Sequence, residues 1–401
     1  MDKKNKNPNV PNLRFNEFSL PWHQMRIIDL LSFQNGINGT PEQYGKGIKY
    51  ISVGDILNND YITYDKIAGS IDINQETLKN YSVTYGDILF QRSSEIKEDI
   101  GRTNVYLDKD HTATFGGFVI RGKKIGDYNP TFFNYLLKSP SSRQSIVRLG
   151  AGAQHYNIGQ ENIKTLNFYF PDEEEQQKIA NLFLKIDERI QTQIKIIADC
   201  LSYRNAIVDY FFESLSSNWR QVKLSNILKE YSELHVKDNS IIHATLSKEG
   251  IYPKTDRYDR DFLVKDEEKK YKVSHLNDIC YNPANLKFGV ITRNTFGDCI
   301  ISPIYITFTI NNNYLPKFVE LLVTRKQFIT QARKYEQGTV YERMAVNSSD
   351  LLSMNVFIPS LSIQQKIVDI VDIIDNKITN EKELLNLYKM QKDYLLKNMF
   401  I

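Results

Sequence analysis

From residue 173 to residue 216 the chain contains neither Gly nor Pro. Apolar side chains return at Ile179, Phe183, Ile186, Ile190, Ile194, Ile197, Leu201, Val208, Phe211 and Leu215. The steps alternate mostly between three and four, and Arg204 fills the one missing seam position, so the rhythm predicts a single long helix with a heptad-like stripe. At 1.5 Å per residue it would span roughly 65 Å. A second stripe, Ile367, Val371, Ile374, Ile378, Leu385, Tyr388, Leu395 and Met399, predicts a matching helix near the end of the chain. A stripe this long is covered only by another of similar length, and the chain carries two. They are expected to pair with each other, antiparallel, through Ile179, Phe183, Ile186, Ile190, Ile197 and Leu201 on one helix and Ile367, Val371, Ile374, Ile378 and Leu385 on the other.

The segments before each helix have a mixed pattern. Ile48–Val53, Asp87–Phe90, Gly117–Ile120 and Ile300–Ile310 are rich in Ile, Val, Phe, Tyr and Thr and predict strands. Thr131–Lys138 and Pro316–Tyr335 predict helices. Gln34–Gly47 and Asn282–Gly289 carry Gly, Asn and Ser and predict loops. Each segment is therefore expected to form a compact α+β unit.

The two halves repeat. Phe170-Pro171 followed by Gln176-Gln177-Lys178-Ile179 returns as Ile358-Pro359 followed by Gln364-Gln365-Lys366-Ile367, 188 residues later. The same offset pairs Ile186-Asp187 with Ile374-Asp375, Ile190 with Ile378, Phe212 with Phe400, Gly150 with Gly338, Ile158 with Val346 and Phe168 with Val356. Further back, Trp22-His23-Gln24 matches Trp219-Arg220-Gln221, and Tyr85-Gly86-Asp87-Ile88 matches Leu276-Asn277-Asp278-Ile279, at offsets of 197 and 191. Collinear matches over a whole half-chain, drifting only by loop lengths, identify a tandem duplication.

Charge follows this division. The net charge is only +3, but residues 1–171 hold 20 Lys/Arg against 17 Asp/Glu, residues 218–359 hold 20 against 16, and the rest hold 11 against 15. The weak basic excess of the two blocks is compatible with nucleic acid. No tract approaches the roughly 18 apolar residues a membrane helix needs, and the Lys/Asn-rich start lacks the apolar core of a secretory signal, so a cytoplasmic location is expected. Cys200, Cys280 and Cys299 are too few and too widely spaced for a disulfide framework or a zinc site, so no metal is expected.

Three patterns suggest catalysis and fall short of it. Tyr281-Asn282-Pro283-Ala284-Asn285 has the Asn-Pro of an adenine methyltransferase motif but neither its second proline nor its stacking aromatic. Asp87 with Glu95-Ile96-Lys97 loosely matches nuclease carboxylates and lysine, yet the other half keeps Asp278 without the Glu-x-Lys. Gly150-Ala151-Gly152-Ala153 lacks the ending of a phosphate loop. No catalytic residue is assigned. The loops offer side chains suited to DNA: Gln91, Arg92, Ser93, Ser94, Arg102, Gln154, His155 and Tyr156 in the first block. The second block offers Lys254, Arg257, Tyr258, Arg260, Lys287, Arg293, Tyr341 and Arg343. Arg reads guanine bidentately, Gln reads adenine, and Lys, Ser and Tyr hold phosphates.

This arrangement resembles the specificity subunits of type I restriction-modification systems. The resemblance runs over nearly the full chain. It rests on Trp22 and Trp219, on Tyr85–Phe90 with its counterpart Leu276–Tyr281, on Gly150 and Gly338, and on the Pro-x(3)-Glu-Gln-x-Lys-Ile junction at Pro171, Glu175, Gln176, Lys178 and Ile179. The second junction departs from the pattern with Ile363 in place of Glu. The resemblance implies an α+β protein with target-recognition domains at 12–171 and 218–359, long helices at 172–217 and 360–401, a disordered tail at 1–11, and pseudo-twofold symmetry about an antiparallel coiled coil. It further implies that each domain reads half of a bipartite site in double-stranded DNA and that the helices set the spacing. Two modification subunits would dock on the chain with S-adenosylmethionine, and restriction subunits would use ATP and Mg; the chain itself would hold no cofactor. The competing expectations are a coiled-coil scaffold that binds proteins, and a standalone enzyme acting on DNA.

Overall fold

The computed structural model describes residues 9–214, 218–236, 240–254, 270–337 and 344–401. The chain packs as two units, residues 1–195 with 382–401 and residues 196–381. The long helices, Glu173–Ser214 and Leu361–Asn398, therefore each contribute a segment to both units.

Both units use one plan. In the first, a four-stranded antiparallel sheet has the order Leu31–Asn35, Val119–Lys124, Ile88–Gln91, Thr103–Val105; in the second the order is Leu228–Tyr231, Ile306–Ile310, Ile279–Tyr281, Ile291–Arg293. A two-stranded ribbon closes each: His23–Arg26 with Asn167–Phe170, and Arg220–Lys223 with Asn355–Ile358. Each frame carries an inserted sheet, and here the units differ. The first unit's insert has three strands, Gly69–Ile71, Tyr44–Ile51 and Thr114–Phe115; the second unit's has five, including Ile242–Ser247 and Cys299–Ile301.

Several expected elements change in detail. Ile300–Ile310 is two strands, Cys299–Ile301 and Ile306–Ile310, parted by a turn at Pro303, which has no N–H for a ladder and fits a turn. Pro316–Tyr335 breaks at Arg325 into Pro316–Thr324 and Lys326–Ala332. Part of the expected loop Gln34–Gly47 joins the strand Tyr44–Ile51, and Pro283–Phe288 forms a 3-10 helix stopped by left-handed Gly289. Of the expected tail at 1–11, residues 1–8 lie outside the described residues, and the Asn9 carbonyl accepts a hydrogen bond from the Trp22 backbone N–H.

The repeated junction motif has a physical purpose. Gln176 is buried; its amide donates to the Pro171 carbonyl (3.0 Å) and accepts from the Asn129 backbone N–H (2.9 Å) at the start of the helix Pro130–Lys138. Gln364 repeats both bonds, to the Pro359 carbonyl (3.1 Å) and from the Leu315 N–H (3.1 Å) before the helix Pro316–Thr324. One side chain thus satisfies two backbone groups that burial would otherwise leave unpaired. The tryptophans repeat as well: Trp22 packs edge-on against Phe132 and Phe400, and Trp219 packs edge-on against Phe212 and tilted against Phe318. The first helix is capped by Asp172, which accepts from the Glu175 N–H. Glu175 itself is fully buried and binds Arg14 through two hydrogen bonds of 2.8 and 2.6 Å. Ile363, its replacement at the second junction, is exposed.

Within each unit the helices run antiparallel. In the first, Phe183 meets Phe400, Asp187 binds Lys392 at 2.5 Å and Arg189 lies over the Tyr388 ring. In the second, Arg204 binds Asp375, Nε to Oδ1 at 2.5 Å. These two ion pairs are copies of each other, because Asp375 repeats Asp187 and Lys392 repeats Arg204 at the offset of 188. The expected seam holds at Ile179, Phe183, Ile186, Ile190, Ile197, Ile367, Val371 and Ile378, all buried, with Ile374 and Leu385 half-buried. Leu201 and Ile194 are exposed instead, their inward places taken by half-buried Cys200 and buried Gln193, while Arg204 is half-buried at the seam position expected of it. The cause is helical drift: 3.6 residues per turn does not hold a strict heptad on one face.

Asp375 also accepts from Lys317 at 2.7 Å. Burial opposes its charge, but the bonds from Arg204 and Lys317 hold its pKa below the ordinary carboxylate value. A carboxyl depressed in the folded state adds stability above its unfolded pKa and loses it as pH falls through the folded one. Asp375→Asn is therefore expected to lower unfolding free energy by ~2 kcal/mol at neutral pH. The deficit should shrink below about pH 4, near the unfolded aspartate pKa. Urea melts at pH 7 and pH 3 check this.

Candidate nucleic-acid interface

The site begins with the strand that carries the Gly-Asp-Ile repeat. Gly86 and its counterpart Asn277 both have positive φ, 91° and 75°, where glycine is most at ease. The turn lets Asp87 accept from the Thr84 and Lys124 backbone N–H groups at 3.0 and 2.9 Å. Asp278 accepts from the His275 N–H at 2.6 Å and from the Tyr231 hydroxyl. Burial pushes the pKa of both carboxyls up. Asp87 is thus a buried anchor of the strand, while Glu95 and Lys97 are exposed in the next loop. Asn282, also buried, caps the 3-10 helix by accepting from Ala284 N–H at 3.1 Å. The Gly150–Ala153 run forms a tight hairpin bridge, Ala151 with Asn157; at Gly152 a Cβ would lie 2.0 Å from the His155 carbonyl oxygen. Asp87, Asn282 and the Gly150–Ala153 run thus each serve local backbone geometry.

Beyond Asp87 the strand leads to a cleft of about 640 Å³, whose lining includes four of the first-block candidates, Gln91, Ser93, Ser94 and His155, with Tyr50 and Phe118. Gln91 is buried and donates to the Ser93 carbonyl, so its amide N–H is engaged inside the unit. Arg92 is exposed, with Nη1 3.3 Å from the Gly117 carbonyl. Ser94 and Ser93 form a two-residue ladder with Tyr156 and Asn157, which brings Gln154, His155 and Tyr156 alongside; Gln154 and His155 are exposed. Arg102 stands apart. It pairs with Asp99 at 2.6 Å and lines a second cleft with Lys138 and Arg143. Burial brings the Lys138 ammonium down to about 7, and its Nζ donates to the Asp60 carbonyl.

The second block is less gathered. Lys254 ends the strand Gly250–Pro253, its N–H on the His243 carbonyl. Lys287 is exposed beside the ring of Phe288. Arg293 is half-buried and holds Glu320 at 2.9 Å and Asn277 at 2.7 Å, contacts that tie the sheet to the helix Pro316–Thr324. Arg257, Tyr258, Arg260, Tyr341 and Arg343 lie outside the described residues, as does Gly338. Sequence reasoning missed Phe118, which is 67% exposed. Its neighbours Val119 and Ile120 make the segment read as a strand, and the signal against this was the preceding Gly116-Gly117.

The family model for the type I restriction modification DNA specificity domain matches residues 21–198 and 280–388. A putative type I specificity subunit from Mycoplasma genitalium is 24% identical over 292 residues, 67% of this chain and 70% of that protein. A putative type I restriction enzyme specificity subunit from Methanocaldococcus jannaschii is 26% identical over 200 residues, 48% of this chain and 46% of its own. Among solved structures, a type I restriction-modification S subunit from M. genitalium aligns with a TM-score of 0.52 at 17% identity, covering 98% of this chain and 99% of that one. A structure describing complex assembly and conformational transition of the type I system aligns at 0.61 with 12% identity, covering 94% and 98%. At those identities the structures speak to the fold, whereas the family match takes in both units. The chain belongs to the family of type I restriction-modification DNA specificity domains.

Proposed function

We propose that this chain is the non-catalytic, sequence-reading subunit of a type I restriction-modification complex, each unit reading one half of a bipartite site in double-stranded DNA. The observation that carries the reading is the duplicated frame with two unlike inserts: four frame strands keep one order in both units, while the inserted sheets differ in strand number. A shared frame holds two readers alike, and unlike inserts let them read unlike half-sites. Linking two modest readers raises the effective concentration of each for its half-site. The paired helices act as the spacer, and they hold two modification subunits that bring S-adenosylmethionine. Restriction subunits bring ATP and Mg, and the assembly works in the cytoplasm. Among the described residues no helix is long and apolar enough to cross a membrane.

Mapping methylated adenines across the genome tests this, in cells that carry the chain with its modification subunit and in cells without the chain. A two-part methylated motif that depends on the chain is the expected result; no motif from an assembled complex refutes it. Arg92→Ala should weaken binding to that motif by about 1–3 kcal/mol if Arg92 reads a base, and Arg343→Ala likewise for the other half. Unchanged affinity in titrations removes each from the site. Inserting one helical turn near Thr192 should lengthen the unread spacer and leave both half-sites intact, provided a matching turn is added near Asn380. An insertion in one helix alone would break either the Asp187–Lys392 or the Arg204–Asp375 contact. The methylation map of the double insertion reads the spacer directly.

A further inference from the structure

Between the inserted sheet and the frame sheet, each unit makes the same four-residue turn. In the first, the Val119 N–H closes onto the Gly116 carbonyl at 2.8 Å; in the second, the Tyr305 N–H closes onto the Ser302 carbonyl at 3.1 Å. The third residue is Phe118 in one and Ile304 in the other, 186 residues apart. That offset also relates the strands that follow, since Gly122 pairs with Ile88 as Phe308 pairs with Ile279. Phe118 is 67% exposed and Ile304 62%. Turn geometry does not call for a large apolar side chain there; Asn, Asp or Gly would serve. Burial does not call for it either.

The first turn is also held stiffly. A Cβ at Gly116 would lie 2.3 Å from the Tyr50 hydroxyl oxygen, and one at Gly117 2.2 Å from Asn38 Oδ1. The backbone on both sides of Phe118 is engaged by Arg92, whose N–H donates to the Phe118 carbonyl at 2.9 Å and whose guanidinium reaches the Gly117 carbonyl. An exposed apolar side chain on a backbone held by Arg92 therefore sits at the cleft that Ser94 and His155 also line, with the exposed Arg92 beside it.

We propose that Phe118 and Ile304 are specificity-determining contacts, each meeting the 5-methyl group of a thymine in the half-site its unit reads. The inference rests on the DNA-reading function proposed above. An apolar side chain beside an arginine matches the major groove, where apolar groups meet the thymine methyl and Arg meets guanine. Ile304 has no flat face on which a base could stack, so the property common to the pair is apolar contact. A purely apolar protein partner would not account for the exposed Arg92.

The test uses the full chain assembled with its modification subunits and duplexes carrying the methylated motif, with each thymine replaced in turn by deoxyuridine. One replacement in each half-site should weaken binding about fourfold, the equivalent of about 0.8 kcal/mol for one buried methyl. Phe118→Ala should abolish that response in one half-site and Ile304→Ala in the other, while Phe118→Leu keeps it. Both side chains are exposed, so melting temperatures should not change. Wild-type affinity in both alanine variants overturns the proposal. So do an undiminished deoxyuridine response, half-sites without a responsive thymine, and a loss of modification subunit rather than of DNA. In all four cases binding of the motif by the unaltered complex still upholds the specificity function; a complex with no motif overturns both.

Discussion

Two aspartates 188 residues apart, Asp187 and Asp375, each hold a cation on the opposing long helix, and the register of the helices depends on them. Apolar stripes bury area but tolerate a slide by one turn. A carboxylate taken out of water does not, because sliding would leave an uncompensated buried charge, which costs several kcal/mol. Asp187 adds a bond from the Tyr135 hydroxyl at 2.6 Å and Asp375 one from Lys317, so each pair is also tied to its own globular frame. The helices and the readers are thereby positioned by the same groups.

The junction glutamines extend that coupling. Gln176 and Gln364 join the first turn of a long helix to the start of a frame helix through backbone groups alone, so the link survives changes in neighbouring side chains. This is why the motif is legible in both halves when so much else has drifted. Where the halves differ, a different constraint applies. Glu175 belongs with Arg14, which precedes the first unit's entry tryptophan, and at the second junction an exposed isoleucine replaces it.

The two units share the frame and differ in the inserts. Buried anchors such as Asp87 and Asp278 keep the central strand in place whatever lies above it. The inserts vary in strand number, and the turns joining insert to frame present exposed side chains at matched positions. A duplicated fold can in this way hold two readers alike and let them read differently.

The chain's pattern by itself determined the duplication, the two long helices, their pairing and the α+β blocks, because periodicity and repeats are local properties of a sequence. It also singled out Ser93, Ser94 and His155, which line one cleft, and Tyr156, which pairs with Ser94. It did not show the surroundings that distant partners supply. Gln91 lines the cleft but is buried, and Arg293 is held by Glu320 and Asn277. Leu201 looks like seam, but helical drift turns it outward and brings Cys200 in, and the charge of Arg204 at its seam position is matched by the contact with Asp375. Phe118 looks like strand, yet a turn exposes it. Tertiary structure decided these positions because burial and pairing of a polar or apolar group depend on what the fold brings next to it, and no local pattern records that neighbour.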